Sequence, residues 1–465
     1  MSAASPFLEP ALPSDGLPVP RRYWAIAAIV LAIAMSVLDS TIVNVALPSI
    51  ARSLGATAAA SIWVINAYQL AILVMLLPLA SLGEVVGYRR VSLIGLALFT
   101  LASGLCGIAP NLGTLIAFRA LQGVGAAVQV PASLALLRHA YHDPTERAQA
   151  IGIWAAATGL AVAAGPVVGG ILTHAWTWRS VFLVNLPVGV LGIVLTLRHV
   201  PSVPPHQDGD LDLKAQLLGI VALGGLTFGL IQGGVWGWSS APVIVALLVA
   251  VVAGVLFYLG ERRAEHPMLP PALFRDSTFS AANAVGAILS FGFYGELFLM
   301  SLFFQQVQHR SPLAAGLALL PQTAVISLMN FVSGQVTARR GPRLPMVLGL
   351  GVGGLGLGSL SLVQVRTPLG AIVGPMLAMG IGASLAMPAM THAAIDHTPK
   401  ERAGIGSAVL NASRQVGGVV GIALLGALIG GRFMVGMHWG MLLAGALFLA
   451  GSGVSLAFVE RASRS

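Results

Sequence analysis

The chain has 465 residues, of which 56% are hydrophobic and only 9% are charged. A soluble protein carries about 25% charged residues, so this composition excludes an ordinary soluble globular protein and indicates a membrane protein. The net charge of +9 does not indicate nucleic-acid binding, because the basic residues are dispersed and no basic cluster has interleaved aromatic residues. The one cysteine, Cys106, excludes an intrachain disulfide and argues against a cysteine-based metal site.

Apolar segments long enough to cross a bilayer, which takes roughly 20 residues, recur along the whole chain. Residues 1–22 come before the first of them; they are polar and rich in proline, and we expect a cytoplasmic tail rather than a signal peptide. The fourteen predicted spans are 23–48, 62–82, 90–109, 113–137, 148–172, 180–198, 214–233, 241–260, 280–308, 312–337, 344–364, 368–390, 403–429 and 437–459. An even number of spans places both termini on the same side of the membrane.

The basic residues predict which side that is. If the N-terminus is cytoplasmic, the inner loops and tails contain 18 of the 25 Lys and Arg residues, and the outer loops contain five. This excess obeys the positive-inside rule. Six tryptophans also fall at predicted outer boundaries, where indole rings prefer to lie. Both termini are therefore predicted to be cytoplasmic.

Two pairs of similar segments indicate an internal duplication. The sequence PTERA at 144–148 resembles PKERA at 399–403, and Gly-Tyr-Arg at 87–89 resembles Gly-Pro-Arg at 341–343. Parallel repeats of this kind predict two six-helix bundles. The predicted domains are a tail at 1–22, an N-terminal six-helix bundle at 23–199, a linker with two accessory spans at 200–279, and a C-terminal six-helix bundle at 280–465.

Only two acidic residues, Asp39 and Glu296, lie well inside predicted spans, each in the first span of a half. Apolar surroundings favour the neutral form of a carboxyl group, so a residue of this kind can take up and release a proton near neutral pH. Intramembrane acids are costly and usually functional. We therefore expect both to couple proton movement to conformational change. The alternative is a structural carboxylate that is paired with an arginine or satisfied by the backbone.

Arg119 and Arg414 are the two basic residues inside predicted spans, and Gln122 lies one turn after Arg119. An arginine beside an acid can couple the protonation of that acid to conformation. The alternative for Arg119 is a side chain that snorkels to the membrane surface. Further polar residues inside the spans could line a central cavity or simply bond between helices. These candidates are Asn44, Asn66, Gln69, Gln122, Gln129, Gln305, Gln322, Asn330, Asn411 and Arg414.

Glycines leave one face of the fifth predicted span without side chains, so that a neighbouring backbone can approach it closely. A proline inside the same span removes a hydrogen bond, which is tolerable only where neighbours bond the freed carbonyl. The spacing indicates a helix-packing seam or a functional motif. The positions are Gly159, Gly165, Pro166, Gly169 and Gly170.

The loop after the second span contains Gly83, Glu84, Gly87, Arg89 and Arg90. Its glycines permit a tight turn. We expect its arginines to anchor the turn at the cytoplasmic face and its acid to hold a neighbouring helix end. The alternative is that the arginines only orient the spans.

Several of these segments resemble the 14-span drug:proton antiporters of the major facilitator superfamily (the EmrB/QacA-like branch) over about residues 23–459. The resemblance rests on LDSTIVNVALP at 38–48, RALQGVG at 119–125, the glycine positions of the fifth span, and NLPVG at 185–189. It departs at Val85, where the family usually has an arginine. That departure puts the usual charge network of the inner gate in doubt.

The resemblance implies an all-α integral membrane protein with the major facilitator fold, in which two six-helix bundles flank two inserted accessory helices. It implies a proton-coupled exporter of lipophilic, cationic drugs, dyes or antiseptics, working as a monomer by alternating access in the bacterial cytoplasmic membrane. Asp39, Glu296 and Arg119 would couple the protons, and the glycine positions would form the antiporter motif. No enzyme activity, cofactor, metal or nucleic-acid partner is expected.

Two other interpretations remain at this point. One is an exporter dedicated to a self-made antibiotic or another metabolite. The other, more remote, is a non-transporting membrane receptor or scaffold. ATP-driven transport is not indicated, because no phosphate-binding glycine loop of the Walker type occurs in the sequence.

Overall fold

The computed structural model describes residues 19–141, 144–201, 213–264, 271–398, 403–430 and 432–460, and every regular element in these ranges is helical. A 3-10 turn (Pro271–Arg275) precedes α11, and a π-helical turn (Phe303–Val307) follows it. The helices are α1 (Val19–Ser53), α2 (Ala58–Val86), α3 (Tyr88–Gly107), α4 (Leu112–Ala127), α5 (Gln129–Ala140), α6 (Pro144–Ala175), α7 (Ser180–Leu183), α8 (Asn185–His199), α9 (Leu213–Trp236), α10 (Ala241–Arg263), α11 (Ser277–Leu302), α12 (Pro312–Arg340), α13 (Arg343–Leu360), α14 (Leu369–Asp396), α15 (Ala403–Leu428) and α16 (Phe433–Phe458).

These helices follow the predicted spans in order, with α4 and α5 together forming the fourth span and α7 and α8 the sixth. Thirteen helical segments of the described residues are long and apolar enough to cross a membrane, and α2 adds a shorter apolar stretch, Ala60–Leu76. The all-helical membrane architecture is therefore confirmed. The count of fourteen spans and the cytoplasmic position of both termini stay predictions, as do the predicted domain boundaries.

Several helices are longer than the spans predicted for them. The first span was expected at 23–48, whereas α1 runs from Val19 to Ser53. A helix satisfies its backbone groups internally, so it can continue past the apolar segment into the polar regions on either side. Pro48, which was expected to end the first span, lies inside α1 instead.

The same pairs of spans pack together in the two halves of the chain. In the first half α1 packs on α6 and α8, and α4 packs on α2 and α3. In the second half α11 packs on α15 and α16, and α14 packs on α12 and α13. When the spans of the two halves are matched by the offset between the repeated segments, each pair in the first half has its counterpart in the second. Such a correspondence is expected of a duplication.

A tight glycine turn precedes the third span of each half. Gly87 has a φ of 100° and Gly341 a φ of 76°, a backbone region that favours glycine. The arginine two residues later donates to a carbonyl group near the end of the sixth span of its half. Arg89 donates to Leu197 of α8 at 2.6 Å, and Arg343 donates to a carbonyl in the last turn of α16. A cation at a helix C-terminus also interacts favourably with the helix dipole.

Glycines let the two halves meet backbone to backbone along α6 and α12. A Cβ atom at Gly170 would lie 2.7 Å from the carbonyl oxygen of Pro312. A Cβ atom at Gly316 would collide with the carbonyl group of Pro166. Such close approach is possible because glycine has no side chain at the point where the two helices touch. The contact lies in the predicted outer half of both helices.

The carbonyl group that Pro166 leaves without a helical donor is bonded by a neighbouring helix, as expected from the sequence. A proline cannot donate to the carbonyl group four residues earlier. That group belongs to Val162, and the hydroxyl of Thr41 on α1 donates to it at 3.5 Å. Gly165 makes room for this hydroxyl, because a Cβ atom there would collide with it.

Side-chain hydroxyl groups of the second half also bond carbonyl groups of the first half. Ser301 of α11 donates at 2.8 Å to the carbonyl of Asn44, which Pro48 has left without its helical donor. Thr323 of α12 donates at 3.2 Å to the carbonyl of Ala163. These bonds, too, lie toward the predicted outer side, so the structure is closed there. Toward the predicted inner side, Cβ atoms placed on glycines 152 and 334 would meet no atom within 4 Å.

The accessory helices lie beside the boundary between the halves. α10 packs on α9, and α9 packs on both α2 of the first half and α15 of the second. The rings of Trp63 on α2 and Phe228 on α9 are 6.3 Å apart, and Phe228 also packs edge-on against Trp236 at 5.8 Å. The accessory pair therefore covers the α2–α15 side of the molecule.

The glycine contact between α6 and α12 predicts a sharp difference between two alanine variants of α12. Gly316→Ala forces the helices apart and should destabilise the protein by about 1–3 kcal/mol, the usual cost of overpacking. Gly334→Ala is the matched control, because its Cβ atom enters open space and alanine favours the helix. Thermal unfolding of both purified variants in the same detergent measures the difference. Equal melting temperatures would contradict the close contact.

Candidate functional site

A buried ion pair lies at the centre of the first half. Asp39 on α1 and Arg119 on α4 are both 0% exposed, and Arg119 Nη1 donates to Asp39 Oδ2. The other carboxylate oxygen, Oδ1, accepts from Gln122 Nε2 and from Asn185 Nδ2, each at 3.0 Å. Both oxygens of Asp39 therefore accept hydrogen bonds from charged or amide donors.

The guanidinium group of Arg119 is held on its remaining sides. Its Nε donates to the carbonyl of Val64 at 2.9 Å, and the group lies over the ring of Tyr68, 4.1 Å from the centroid. The ring of Phe182 is 5.6 Å away. Tyr68 is fixed in turn, because its hydroxyl donates to the carbonyl of Ser36 at 2.9 Å. Arg119 therefore points into the bundle and does not snorkel.

The sequence did not single out two members of this cluster. Ser103 on α3 accepts from Gln122 at 2.7 Å and from Asn185 at 3.4 Å, which joins the two amides that bond Asp39. Serine is common in membrane helices, so nothing in the sequence distinguishes Ser103. Asn185 lies at the start of the NLPVG segment at 185–189, on which the family resemblance rests in part, but no site role was predicted for it.

Glu296 occupies a different environment in the second half. It is 0% exposed, and its Oε2 accepts from Gln322 Nε2 at 2.6 Å. Gln322 Nε2 also lies 3.3 Å from the sulfur of Met379. Among the described residues, Glu296 Oε1 has no hydrogen-bond partner and no basic group comes within 4 Å of the carboxylate. This environment suits a protonated carboxyl group, because an ionised one would lack a counter-charge.

The two predicted acids therefore lie in separate clusters, each inside its own half. Asp39 belongs to a charged network of five side chains, and Glu296 belongs to an uncharged contact with an amide and a thioether. The halves share a packing pattern but differ in how they compensate a buried carboxyl group.

Three of the predicted cavity residues bond within their own half. Gln129 exchanges two hydrogen bonds of 3.1 Å with Ser92, which ties α5 to α3. Asn411 donates to the carbonyl of Ser407 on its own helix at 3.1 Å. Asn44 likewise donates to carbonyl groups of the preceding turn of α1. These three side chains thus bond within or between helices, Asn44 Oδ1 has no partner among the described residues, and their role in lining a cavity stays a prediction.

Other predicted cavity residues retain amide atoms that bond nothing in the described part of the chain. Gln305 donates across the boundary to the carbonyl of Val45 at 2.9 Å, but its Oε1 has no partner. Asn66 and Gln69 on α2 are 0% and 1% exposed, and both have unpartnered amide atoms. Asn330 Oδ1 is also unpartnered. These side chains can still bond water or a ligand.

The glycine positions of the fifth span face two partners. Gly165 and Gly169 face α1, where a Cβ atom at Gly169 would lie 3.0 Å from Cγ1 of Ile42. Gly170 faces α12 of the other half. Gly159 is half-buried on the same helix. The motif therefore joins α1, which carries Asp39, to the boundary between the halves.

The inner loop is held by its glycines and by one arginine. Gly83 leaves room for the ring of Tyr88, which would lie 2.6 Å from a Cβ atom there. Arg89 bonds α8, whereas Arg90 is exposed. The side chains of Glu84 and its neighbour at 85 lie outside the described residues, so the gate predicted for them stays a prediction.

Comparisons with known proteins agree with this architecture. A sequence model described as Major Facilitator Superfamily matches residues 29–223 and again 215–422. The Multidrug resistance protein Stp of Mycobacterium tuberculosis is 39% identical over 399 residues, which cover 86% of this chain and 74% of Stp. The Tetracenomycin C resistance and export protein of Streptomyces glaucescens is 34% identical over 430 residues, covering 90% of this chain and 78% of that protein.

A solved structure has the same fold. The crystal structure of a POT family transporter in complex with a thioalcohol-conjugated peptide superimposes with a TM-score of 0.71. The match covers 96% of this chain and 98% of the transporter, at 14% sequence identity. At this level of identity the likeness concerns the fold alone.

The two carboxyl environments predict different losses of stability on amide substitution. Asp39→Asn leaves the charge of Arg119 buried without a counter-ion and should destabilise the protein by about 3–5 kcal/mol. Glu296→Gln removes no ionic partner and should cost less than about 1.5 kcal/mol. Unfolding of the purified variants in detergent measures both values. A variant with both Asp39→Asn and Arg119→Gln should lose less stability than the sum of its single changes.

Equal destabilisation by Asp39→Asn and Glu296→Gln would show that the ion pair contributes no more than an ordinary hydrogen bond.

Proposed function

This chain belongs to the Major Facilitator Superfamily, and we propose that it exports lipophilic small molecules in exchange for protons. The observation that carries the proposal is the presence of one buried carboxyl group in each half, in contrasting environments. Among the described residues, Asp39 has an arginine partner and Glu296 has no basic partner. Two such groups can be protonated in different conformations of the protein, and this is what the coupling of proton movement to substrate export requires.

The family and the relatives establish the general class. They are transporters of drug and antibiotic resistance, so this chain is a membrane transporter and is not an enzyme. It is a multi-pass protein of the bacterial cytoplasmic membrane, and its resemblance to drug-resistance members of the superfamily is confirmed. The interpretation as a non-transporting receptor or scaffold has no support from these relatives.

Protonation of Asp39 is the step that we propose for coupling in the first half. A proton on the carboxylate removes its charge and weakens the bond to Arg119. Arg119 is then left with the Oε1 of Gln122 at 2.6 Å, the carbonyl of Val64 and the ring of Tyr68 as its main contacts. A buried guanidinium without a counter-charge is unfavourable, so protonation favours another arrangement of α1 and α4.

α1 provides the physical connection from this carboxylate to the boundary between the halves. Two residues after Asp39, Thr41 bonds the carbonyl group that the proline of α6 has freed. One turn further, the carbonyl of Asn44 accepts from Ser301 of the second half. A shift of α1 therefore acts directly on the contacts that close the predicted outer side. This connection is a route for coupling, and its coupling energy awaits measurement.

Glu296 supplies the second proton-binding group in this proposal. In the structure its surroundings suit the protonated form, with Gln322 as the bonding partner. Release of this proton toward the inside, followed by uptake from the outside, would complete an exchange cycle. Each proton that crosses the membrane gains about 2.3 kcal/mol per 100 mV of membrane potential. The proton gradient is thus the proposed energy source.

The relatives favour a second, narrower candidate within the same mechanism. One is named for resistance to and export of a single antibiotic, tetracenomycin C. This chain could likewise be dedicated to one antibiotic or metabolite. Transport of a broad panel of unrelated compounds would exclude this candidate, and transport of one compound class would favour it. Cationic substrates and function as a monomer stay predictions.

Inside-out vesicles test the proposed coupling. With the vesicle interior made acidic, the wild type should accumulate at least one of three dyes: ethidium (a cation), N-phenyl-1-naphthylamine (neutral) and 8-anilinonaphthalene-1-sulfonate (an anion). Glu296→Gln and Asp39→Asn should each lower this accumulation about tenfold or more, because neither variant can exchange a proton at that site.

Asp396→Asn is the matched control for the removal of a carboxylate. Asp396 is 58% exposed at the end of α14, where it pairs with a histidine, so its variant should transport normally. Accumulation that persists undiminished after an ionophore has collapsed the proton gradient would contradict proton coupling.

A further inference from the structure

Arg414 places a positive charge in the middle of a membrane-spanning helix. It lies in α15 (Ala403–Leu428), eleven residues after the first residue and fourteen before the last. At 1.5 Å per residue, it is about 16 Å from the nearer end of the helix, too far for its side chain to reach the membrane surface. Its charge must therefore be compensated where it lies.

The described part of the protein offers this charge no counter-ion. Arg414 Nε is buried without a hydrogen-bond partner among the described residues, and Nη2 donates to the sulfur of Met387 at 3.8 Å. No described carboxylate lies within 4 Å of the guanidinium group. Both intramembrane acids are engaged inside their own clusters, Asp39 with an arginine and Glu296 with an amide.

The surroundings of Arg414 lie at the boundary between the halves. Gly418 lies one turn later on the same face of α15, and a Cβ atom placed on it would be 3.0 Å from the ring of Tyr294. The side chain of Tyr294 on α11 lies beside Ser40 of α1, in the other half. The arginine is half-buried, so part of its side chain remains accessible in this region.

Apolar and polarisable groups complete the environment. The stem of Arg414 lies against Gly286, where a Cβ atom would be 3.1 Å from Cγ of the arginine and 3.6 Å from the sulfur of Met390. Met387 contacts the guanidinium group itself. Methionine side chains adapt to apolar molecules of varied shape. A cation beside methionines can bind a molecule that has an apolar body and one negative group.

We propose that Arg414 binds an anionic group, such as a carboxylate or sulfonate, of an otherwise lipophilic substrate at the boundary between the halves. This inference rests on the proposed function, because it takes that boundary as the transport site. It differs from the cationic substrates that the sequence suggested, since Arg414 has no counter-ion among the described residues, whereas the carboxyl group of Glu296 bonds Gln322 inside the second half. Arginine suits this role because its planar donors pair with both oxygens of a carboxylate.

Binding of two dyes that differ in a single group tests the proposal without any need for transport. The dyes 8-anilinonaphthalene-1-sulfonate and N-phenyl-1-naphthylamine share one aromatic scaffold, and only the former carries a sulfonate. Equilibrium dialysis against the protein in nanodiscs, with empty nanodiscs subtracted, gives both affinities. The wild type should bind the sulfonate dye about tenfold or more tightly than Arg414→Gln does, whereas binding of the neutral dye should not change.

Two further variants complete the design. Arg414→Lys keeps the charge and should retain most of the affinity for the sulfonate dye, which separates loss of charge from loss of fold. Arg366→Gln removes an exposed arginine outside the spans and should bind both dyes as the wild type does. Each variant is first shown to be monodisperse by size-exclusion chromatography.

The results distinguish this proposal from the proposed function. Sulfonate binding that is equal in wild type and Arg414→Gln would overturn the anion site, and so would tighter binding of ethidium by the wild type than by Arg414→Gln. Sulfonate binding that depends on Arg414 would uphold the site even if vesicle transport did not respond to the proton gradient. In that case only proton coupling would fail.

Discussion

A charged group inside a bilayer must be compensated by the groups packed around it, because the surrounding lipid cannot solvate it. The ion pair of Asp39 and Arg119 meets this requirement with donors and acceptors from α1, α2, α3, α4 and α8. The arrangement of the first half depends on this pair, since each helix contributes a group that the others need. The second half has the same packing pattern, but its buried acid, Glu296, contacts an amide and a methionine instead. The buried carboxyl group of the first half is therefore compensated by a charge, and that of the second half by neutral contacts.

The boundary between the halves is built from backbone groups. Glycines in α6 and α12 remove side chains from the contact, and the hydroxyl groups of Ser301 and Thr323 in the second half bond carbonyl groups of the first half. A hydroxyl–carbonyl bond contributes about 1 kcal/mol and separates no charges when it breaks. A boundary of this composition holds the predicted outer side closed at modest energetic cost. It can open without leaving an ion behind in lipid.

The sequence predicted the helical architecture, the order of the spans and the four groups with intramembrane charge, because apolar length and isolated charges are visible in one dimension. It also predicted that Pro166 needs a neighbour to bond its freed carbonyl group, and Thr41 is that neighbour. It did not distinguish the two acids, since only the fold shows that Arg119 reaches Asp39 while Glu296 has no cation. Nor did it assign Gln129 and Asn411 to local bonding rather than to a cavity. Residues far apart in sequence decide these questions, as Asn185 and Ser103 do for Asp39.

The position of α9 makes the two sides of the molecule unequal toward the lipid. Two long seams separate the halves, one between α6 and α12 and one between α2 and α15. α9 packs on both helices of the second seam, where the ring of Phe228 packs at a tilt against Trp63. A lipophilic compound dissolved in the bilayer therefore meets the accessory helices before the α2–α15 seam, whereas on the other side it meets α6 and α12 themselves. In a membrane whose lipids concentrate such compounds, the accessory helices would set the direction from which substrate arrives.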